Sequence, residues 1–241
     1  MTLTRKMPGL INWIGYLAIT LLLALPVAVL TVRSGAWQQG LMIYAAACLG
    51  AALLLLLAVV LMWLPRFAHW RRDLLGRALI ALPGTVLLLS VLAGRGDYPP
   101  IHDITTDTDD VPVFVAAPQQ RGADSNPLEV VPDTIAAQRA ALPELETLRT
   151  QLPIDEAFDR ALQVAADMGW DIYHRDRDAG IIEAAATTPI MGFRDDVVIR
   201  VRSDARGTLV DLRSVSRVGV GDMGANARRI VAFQDAFRQQ Q

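Results

Sequence analysis

The stretch that decides the fold runs from residue 194 to residue 217 and reads RDDVVIRVRSDARGTLVDLRSVSR. Two segments of alternating apolar and polar residues flank the four residues Asp204–Gly207. Alternation with a period of two is typical of β-strands, and a short polar loop that contains glycine commonly joins antiparallel strands. The pattern therefore predicts a β-hairpin with Asp204–Gly207 as its turn.

This turn also predicts the register of the hairpin. Ser203 is expected to pair with Thr208, and the pairs farther from the turn follow as Val201–Val210, Arg200–Asp211, Ile199–Leu212 and Val198–Arg213. Because successive side chains of a strand point to opposite faces, one face should be apolar and the other charged. The charged face is expected to carry Asp196, Arg200, Arg202, Asp211, Arg213 and Arg217.

Helical and strand patterns surround this hairpin. Apolar residues recur at helical spacing after Pro153, and two alternating segments, 170–175 and 180–187, predict a further hairpin. A last helix is predicted near the C-terminus, with an apolar stripe formed by Ala227, Ile230, Phe233 and Phe237. We therefore expect an α+β domain over 133–241, with about four antiparallel strands in the order α-β-β-β-β-α.

Charge and hydropathy divide the chain into two unlike halves. Residues 1–93 contain seven basic residues and one acid, whereas residues 94–241 contain 16 basic residues and 24 acids. The net charge of −2 is thus the sum of a +6 half and a −8 half. Because the chain as a whole is not basic, its net charge does not indicate nucleic acid as a partner. The single cysteine, Cys48, excludes a disulfide framework and a cysteine-based metal site.

Three apolar runs in the first half predict a membrane anchor over 1–93. The runs at 10–32 and 41–64 contain no charged residue, and the run at 74–93 contains only Arg77. At 1.5 Å per residue, the first run spans about 34 Å, which exceeds a hydrocarbon core of about 30 Å. We therefore predict three transmembrane helices, with the lipid bilayer as their partner.

The basic residues near these helices predict the orientation of the chain. Two basic residues, Arg33 and Arg95, flank one side of the predicted bundle. Six lie on the other side, namely Arg5, Lys6, Arg66, Arg71, Arg72 and Arg77. Cytoplasmic loops carry the excess of Lys and Arg. We therefore expect a multi-pass protein of the bacterial inner membrane, with a cytoplasmic N-terminus and residues 94–241 in the periplasm.

The segment 94–132 is rich in proline and aspartate and is expected to be extended. Asp107, Asp109 and Asp110 resemble a fragment of a calcium-binding loop. The fragment lacks the glycine and the distal glutamate of a complete loop, so no metal site is predicted there. A solvated or docking loop is the preferred interpretation.

A glycine-rich loop precedes the last helix. Gly219, Gly221 and Gly224 spell the G-x-G-x-x-G pattern of dinucleotide-binding proteins. The preceding strand belongs to an antiparallel hairpin and no second parallel strand follows, so no nucleotide or other cofactor is predicted. Two alternatives remain for the exposed N–H groups at the start of this helix: Asp222 caps them, or an external anion binds them.

Three blocks of the sequence resemble the domain of unknown function 1499 family. They are Phe193-Arg-Asp195-Asp196-Val-Val, the strand from Val210 to Gly219, and Asp222-Met-Gly-Ala-Asn226-Ala-Arg-Arg229-Ile. The segment from Ile101 to Phe114 resembles the N-terminal motif of the family. The resemblance covers roughly residues 98–238. It implies a domain that occurs on membrane-associated bacterial proteins, and it implies no particular activity.

Two functional classes remain after this comparison. A non-enzymatic binding or adaptor domain is the first: it would take an anionic envelope ligand or another envelope protein, since the planar arginine fork suits carboxylates and phosphates. The expected ligand-binding residues are Arg200, Arg213, Arg217, Asn226 and Arg229. The alternative for these charges is a structural network with Asp195, Asp196, Asp211 and Asp222, shaped by Gly219 and Gly224.

The second class is a hydrolase-like envelope enzyme. The adjacent carboxylates Asp195 and Asp196 are the reason for considering it. Adjacent residues of a strand point to opposite faces, so the two carboxylates are not expected to share one substrate pocket. No serine lies in a G-x-S-x-G motif. No catalytic residue is therefore predicted.

Overall fold

A computed structural model describes residues 7–94 and 98–239 of the chain. The chain divides into two compact units, Met1–Gly94 and Arg95–Gln241. Three of the residues used to predict the orientation, Arg5, Lys6 and Arg95, lie outside the described residues.

The first unit consists of three long apolar helices. They are α1 (Gly9–Arg33), α2 (Trp37–Trp63) and α3 (Arg71–Gly94), and a short 3-10 helix, Pro65–Trp70, joins α2 to α3. By length and composition, all three are apolar enough to cross a membrane. The prediction of three helices long and apolar enough to span a membrane is confirmed. The third helix continues N-terminal to its short apolar run because Arg71–Asp73 extend it by a turn.

Small residues allow the three helices to approach one another closely. A Cβ added to Gly84 of α3 would lie 2.7 Å from the Cβ of Ala51 in α2. A Cβ added to Gly40 of α2 would lie 2.5 Å from a methyl group of Val32 in α1. Packing through glycine and alanine is typical of transmembrane helices, which lack a hydrophobic driving force between one another. Leucine and valine side chains point outward along all three helices.

Over residues 98–239, the second unit contains six strands and four helices. The strands are β1 (Asp103–Thr105), β2 (Leu148–Thr150), β3 (Asp171–Asp176), β4 (Ile181–Thr187), β5 (Arg194–Asp204) and β6 (Gly207–Ser216). The helices are α4 (Ala117–Gln120), α5 (Pro132–Ala141), α6 (Ile154–Asp167) and α7 (Ala225–Gln239). This arrangement confirms the α+β class.

The strands form one antiparallel sheet. Strands β3 to β6 follow one another as a meander, and β1 and β2 both pair with the remaining edge of β6. The predicted register of β5 and β6 is confirmed at every pair, from Ser203–Thr208 to Val198–Arg213. The sheet has six strands instead of about four because β1 and β2 are three residues each, too short to show alternation.

Helices α6 and α7 cover one face of the sheet. Phe158 of α6 and Phe233 of α7 belong to a single apolar core with Ile199 and Leu212 of the sheet. The opposite face is covered in part by the segment that precedes α5, where Phe114 and Ala117 pack against Val198 and Val215. The described part of the proline-rich segment, from residue 98, is therefore mostly without helix or strand, yet it supplies β1 and packs on the charged face.

Candidate functional site

The charged face of the sheet is built around two buried carboxylates. The first is Asp211, which is fully buried. Its Oδ2 accepts hydrogen bonds from Arg200 Nη2 at 2.9 Å and from Arg202 Nε at 2.9 Å, and its Oδ1 accepts one from the Thr147 hydroxyl at 2.5 Å. Both arginines also donate to Oδ2 of Asp107, at 3.2 and 2.8 Å. Two arginines thus bridge two acids.

The second buried carboxylate is Asp196, which is also fully buried. Arg217 binds it through two hydrogen bonds, from Nε at 3.0 Å and from Nη2 at 2.7 Å. The Tyr173 hydroxyl donates a third, at 3.2 Å. Burial, and then the negative charge of Asp196, raise the pKa of Tyr173, so the phenol stays protonated and continues to donate.

Arg213 lies between these two groups and is entirely occupied by protein acceptors. It binds Asp103 of β1 through two hydrogen bonds, at 3.0 and 2.7 Å. It also donates to the carbonyls of Pro112 and Leu128, at 3.2 and 2.8 Å. Only 1% of its surface is exposed. Arg213 therefore holds the covering segment onto the sheet and offers no nitrogen to an external ligand.

Arg121 has an unusual position beside Asp196. Its Nε lies 3.2 Å from Asp196 Oδ2, and only 5% of its side chain is exposed. Among the residues that the structure describes, none of its three guanidinium nitrogens finds a hydrogen-bond partner. Burial is the largest influence on this group and lowers the pKa of Arg121.

The helix-covered face holds a separate polar cluster. Arg229 of α7 pairs with Asp195 at 2.5 Å and donates to the Ser214 hydroxyl at 2.9 Å. Asn226 accepts a hydrogen bond from Ser214 at 2.7 Å and donates to Ser216 and to the His102 carbonyl, both at 3.0 Å. This cluster is buried between β5, β6 and α7.

The five predicted ligand-binding residues therefore do not form one site. Arg200, Arg213 and Arg217 lie on the charged face, whereas Asn226 and Arg229 lie on the helix-covered face. The sheet separates them because Asp195 and Asp196 are consecutive and point to opposite sides. The same separation places the two carboxylates in different ion pairs, so nothing in their geometry resembles a catalytic dyad.

The glycine-rich loop is closed by its own aspartate. The two carboxylate oxygens of Asp222 accept hydrogen bonds from the backbone N–H groups of Gly224, at 2.8 Å, and Asn226, at 2.6 Å. Burial raises the pKa of Asp222, and these two hydrogen bonds oppose that shift. Gly224 has a φ of +79°, and a Cβ there would lie 2.5 Å from the Tyr98 ring. Of the two alternatives, the structure shows the internal cap.

The acids that resemble a calcium loop serve another purpose. Oδ1 of Asp107 accepts hydrogen bonds from the N–H groups of Asp109 and Asp110, and Oδ2 receives the two arginines. Across 7–94 and 98–239, no group of three or more His, Cys, Asp and Glu residues is placed to hold a metal ion. Asp107 therefore organises the loop around the arginines.

One cavity opens beside the Asp107 loop, with a volume of about 510 Å³. We refer to it as the arginine cavity, because Arg139, Arg149 and Arg202 line it. These come from α5, β2 and β5. Polar side chains form much of the remaining wall, namely Thr106, Asp107, Thr108, Asp109, Gln138, Glu146 and Thr147.

Each arginine of the cavity is held by the protein on one side. Arg139 donates to the Thr108 hydroxyl at 2.8 Å and pairs with Asp109. Arg149 donates through Nη1 to Asp204 at 2.6 Å. This hydrogen bond, followed by one from a backbone N–H, lowers the pKa of Asp204. Burial lowers the pKa of Arg202, but the hydrogen bond to Asp211 and the negative charges of Asp211, Asp107 and Asp110 together raise it overall.

Some donors of these arginines face no protein acceptor. Within the described part of the chain, no hydrogen bond involves Nη1 of Arg139, Nη1 of Arg202, or Nε and Nη2 of Arg149. Of the acids that line the cavity, Asp107 already accepts four hydrogen bonds. The cavity thus presents preorganised guanidinium groups with unused donors, which suit a carboxylate or a phosphate.

Sequence reasoning missed several of these residues. Arg139 and Arg149 lie on short elements whose pattern did not reveal their direction. Glu183 is fully buried in β4, where its carboxylate accepts hydrogen bonds from the N–H groups of Val115, Ala116 and Ala117. A single acid in the apolar run IIEAAA was the available signal, because a buried acid requires donors.

The fold and the site together define a class of protein. Three helices apolar enough to span a membrane precede an α+β domain whose sheet carries a network of acids and arginines. A family model described as "Protein of unknown function (DUF1499)" matches residues 103–237, more than half of the chain. The chain belongs to this family, which confirms the resemblance seen in the sequence. No curated protein matches the chain.

Proposed function

We propose that this membrane protein presents a periplasmic binding domain at the inner membrane, and that the arginine cavity binds an envelope ligand carrying a carboxylate or a phosphate. The observation that carries the proposal is the set of unused donors on Arg139, Arg149 and Arg202 in one cavity. Ion pairs to Asp109, Asp204 and Asp211 already fix these guanidinium groups. A ligand therefore meets donors whose side-chain entropy has been lost before binding.

The position of the cavity also supports the proposal. Arg213, Arg217 and Asp196 are buried and satisfied by one another or by the covering segment, so the rest of the charged face is closed. The arginine cavity lies at its open end, where Arg139 and Arg149 are exposed. The network behind the cavity thus acts as a rigid support for the arginines that face solvent.

Binding is tested with the full chain in nanodiscs of a neutral lipid, by isothermal titration calorimetry. The probes are glycerol 1-phosphate, a muramyl dipeptide and inorganic phosphate, which represent a headgroup, a peptidoglycan fragment and a free anion. At least one probe is expected to bind. Arg149→Gln and Arg139→Gln should each weaken that binding about tenfold or more, the loss expected for a charge-assisted hydrogen bond.

Arg177→Gln is the matched control for these variants. Arg177 is an exposed arginine ion-paired with Asp159 of α6, and it does not line the cavity. Its substitution should leave affinity unchanged. The proposal is wrong if none of the three probes binds, or if the cavity variants and the control bind equally well.

The compartment is a separate part of the proposal. It is supported by the basic residues at the 65–77 connection, set against the single Arg33 at the opposite end of α1 and α2. Fusions of alkaline phosphatase and of a fluorescent protein to the C-terminus test it. Phosphatase activity with a dark fluorescent fusion is expected. The reverse pattern would place the domain in the cytoplasm.

A further inference from the structure

The connection between α2 and α3 carries a concentrated positive charge. Arg66 lies in the 3-10 helix, and Arg71 and Arg72 begin α3, so three exposed arginines fall within seven residues. Asp73 is the sole acid in the sequence from 1 to 94. Its carboxylate lies 3.4 Å from Arg77 Nη1, so it is directed to a different arginine. The connection therefore has three positive charges and no free counter-charge of its own.

Two of these arginines are held in place by the anchor. Arg71 donates from Nε to the Met62 carbonyl at 3.0 Å, at the end of α2. The Arg66 guanidinium lies 4.6 Å from the centre of the Phe67 ring. Phe67 is in turn buried with Leu61 and Leu74. The two guanidinium groups are thus fixed relative to the helices, which lowers the entropy that binding an anion would cost.

Arg72 differs from the other two. No hydrogen bond or ion pair involves its side chain among the residues described in 7–94 and 98–239. It is exposed on the first turn of α3, next to Arg71. Arg72 can therefore be substituted without removing a contact within the protein.

The aromatic residues beside the arginines indicate their depth in a membrane. Trp63 ends α2 with 81% of its surface exposed, and Trp70 ends the 3-10 helix. Tryptophan is enriched at the level of lipid headgroups, where the indole contacts both apolar and polar surroundings. Arginines that lie beside these two indoles, at the end of a helix apolar enough to span the membrane, are expected at the depth of the lipid phosphates.

We propose that Arg66, Arg71 and Arg72 form a binding site for the phosphate of an anionic phospholipid. Three cations without a free acid attract a headgroup with a net negative charge, whereas the ammonium of a zwitterionic lipid opposes this attraction. The opposite connection, between α1 and α2, has only Arg33 and presents no such cluster. This site belongs to the anchor and is independent of the arginine cavity in the second unit.

Native mass spectrometry of the full chain tests this site. The protein in mild detergent is mixed with equal amounts of phosphatidylglycerol and phosphatidylcholine, and the retained lipids are counted. The wild-type protein is expected to retain phosphatidylglycerol preferentially. Arg72→Gln should lower that preference about fivefold, the change expected for one basic residue near a membrane surface. The triple variant R66Q/R71Q/R72Q should abolish it.

Arg33→Gln provides the matched control, since it removes a positive charge from the other connection. It should retain the wild-type preference, and the melting temperature of each variant verifies folding. Arg72→Gln keeps the test decisive if the triple variant does not fold. The proposal is overturned if Arg33→Gln and Arg72→Gln behave alike, or if the wild-type protein shows no preference. Competition by millimolar inorganic phosphate would overturn it too, because a free anion would then be the ligand.

Discussion

Both faces of the sheet bury acids, but the two faces neutralise these acids with different numbers of arginines. On the helix-covered face, one acid, Asp195, meets one arginine, Arg229, within a cluster of neutral side chains. On the charged face, two fully buried acids each meet two arginines: Asp196 has Arg217 and Arg121, and Asp211 has Arg200 and Arg202. The helix-covered face thus pairs one acid with one arginine, whereas these two acids of the charged face hold two arginines each.

This difference determines which substitutions each face tolerates. A buried acid that loses its arginine can take up a proton and become neutral, but an arginine that loses its acid remains charged at any ordinary pH. Removing an acid from the charged face is therefore more damaging than removing an arginine from either face. The comparison also explains where a ligand belongs. Arg121 has unused donors but is buried, whereas the unused donors of Arg139, Arg149 and Arg202 line the arginine cavity.

The largest effect is expected from Asp196→Asn. This substitution leaves two buried guanidinium groups, Arg217 and Arg121, without a counter-charge. Breaking a buried ion pair in this way costs about 3–5 kcal/mol of unfolding free energy. Hydrogen exchange of the β5 and β6 amides in the full chain measures the loss. Asp235→Asn, which removes half of an exposed pair on α7, should change exchange by less than about 0.5 kcal/mol.

A smaller loss, about 2–3 kcal/mol, is expected from Arg229→Met on the helix-covered face. The hydrophobic replacement retains much of the volume but leaves Asp195 and the Ser214 hydroxyl without their donor. Asp195 can then take up a proton. The difference in unfolding free energy between the variant and the wild-type protein should therefore become smaller as pH falls from 7 to 5. Urea unfolding followed by Trp170 fluorescence, with the four anchor tryptophans replaced by phenylalanine, reports it. A pH-independent difference would contradict the comparison.

Asp222→Asn is expected to have a smaller effect and the opposite dependence on pH. Asparagine has one acceptor oxygen, so it keeps one of the two hydrogen bonds from the N–H groups of Gly224 and Asn226 and loses the other. Burial raises the pKa of Asp222 above its ordinary value of 3.8. The wild-type protein therefore loses the contribution of this group as pH rises through the raised pKa, whereas the asparagine variant does not.

The variant should accordingly gain stability relative to the wild-type protein as pH rises from 3 to 7, by at most about 1 kcal/mol. Thermal unfolding across this range measures the change. Asp222→Ala is the control, since it removes the cap and the titrating carboxyl together. It should follow the same pH trend as the asparagine variant, at a stability lower by about 1 kcal/mol. If the stability of the asparagine variant relative to the wild-type protein fell as pH rises, the negative charge itself would stabilise α7.

The hairpin at 194–217 shows how much of the fold can be predicted from the sequence. Alternation and one turn predicted every pair of β5 and β6, and with them the charged face. They also predicted that Asp195 and Asp196 point apart. What they could not predict is which remote group meets each charge. Asp103 and Asp107 arrive from a segment with little regular structure, and its proline-rich composition predicted only an extended chain.

The grouping of Arg229 with the strand arginines failed for a related reason. Helical periodicity shows which residues of α7 share a face, but it does not show which side of the sheet α7 crosses. The loop at Gly219–Gly224 determines that side. Its conformation depends on Asp222 and on contact with Tyr98, which is distant in sequence. Asp195 was the available clue. Because side chains alternate along a strand, Asp195 points away from the charged face, and an acid on the helix-covered face requires a partner on that side.

Arg121→Met should have the smallest effect, and it tests whether Asp196 needs the second of its two arginines. Arg217 and Tyr173 already supply three hydrogen bonds to Asp196, so the acid keeps its partners when Arg121 is removed. The substitution removes a buried guanidinium whose nitrogens lack hydrogen-bond acceptors. The desolvation penalty of this charge offsets its attraction to Asp196, so the unfolding free energy should remain close to that of the wild-type protein. Hydrogen exchange of β5 compares it with Arg217→Met, which should be clearly destabilising because Asp196 then loses two of those bonds. Equal destabilisation by the two variants would contradict this prediction, because Arg121 would then be as necessary to Asp196 as Arg217 is.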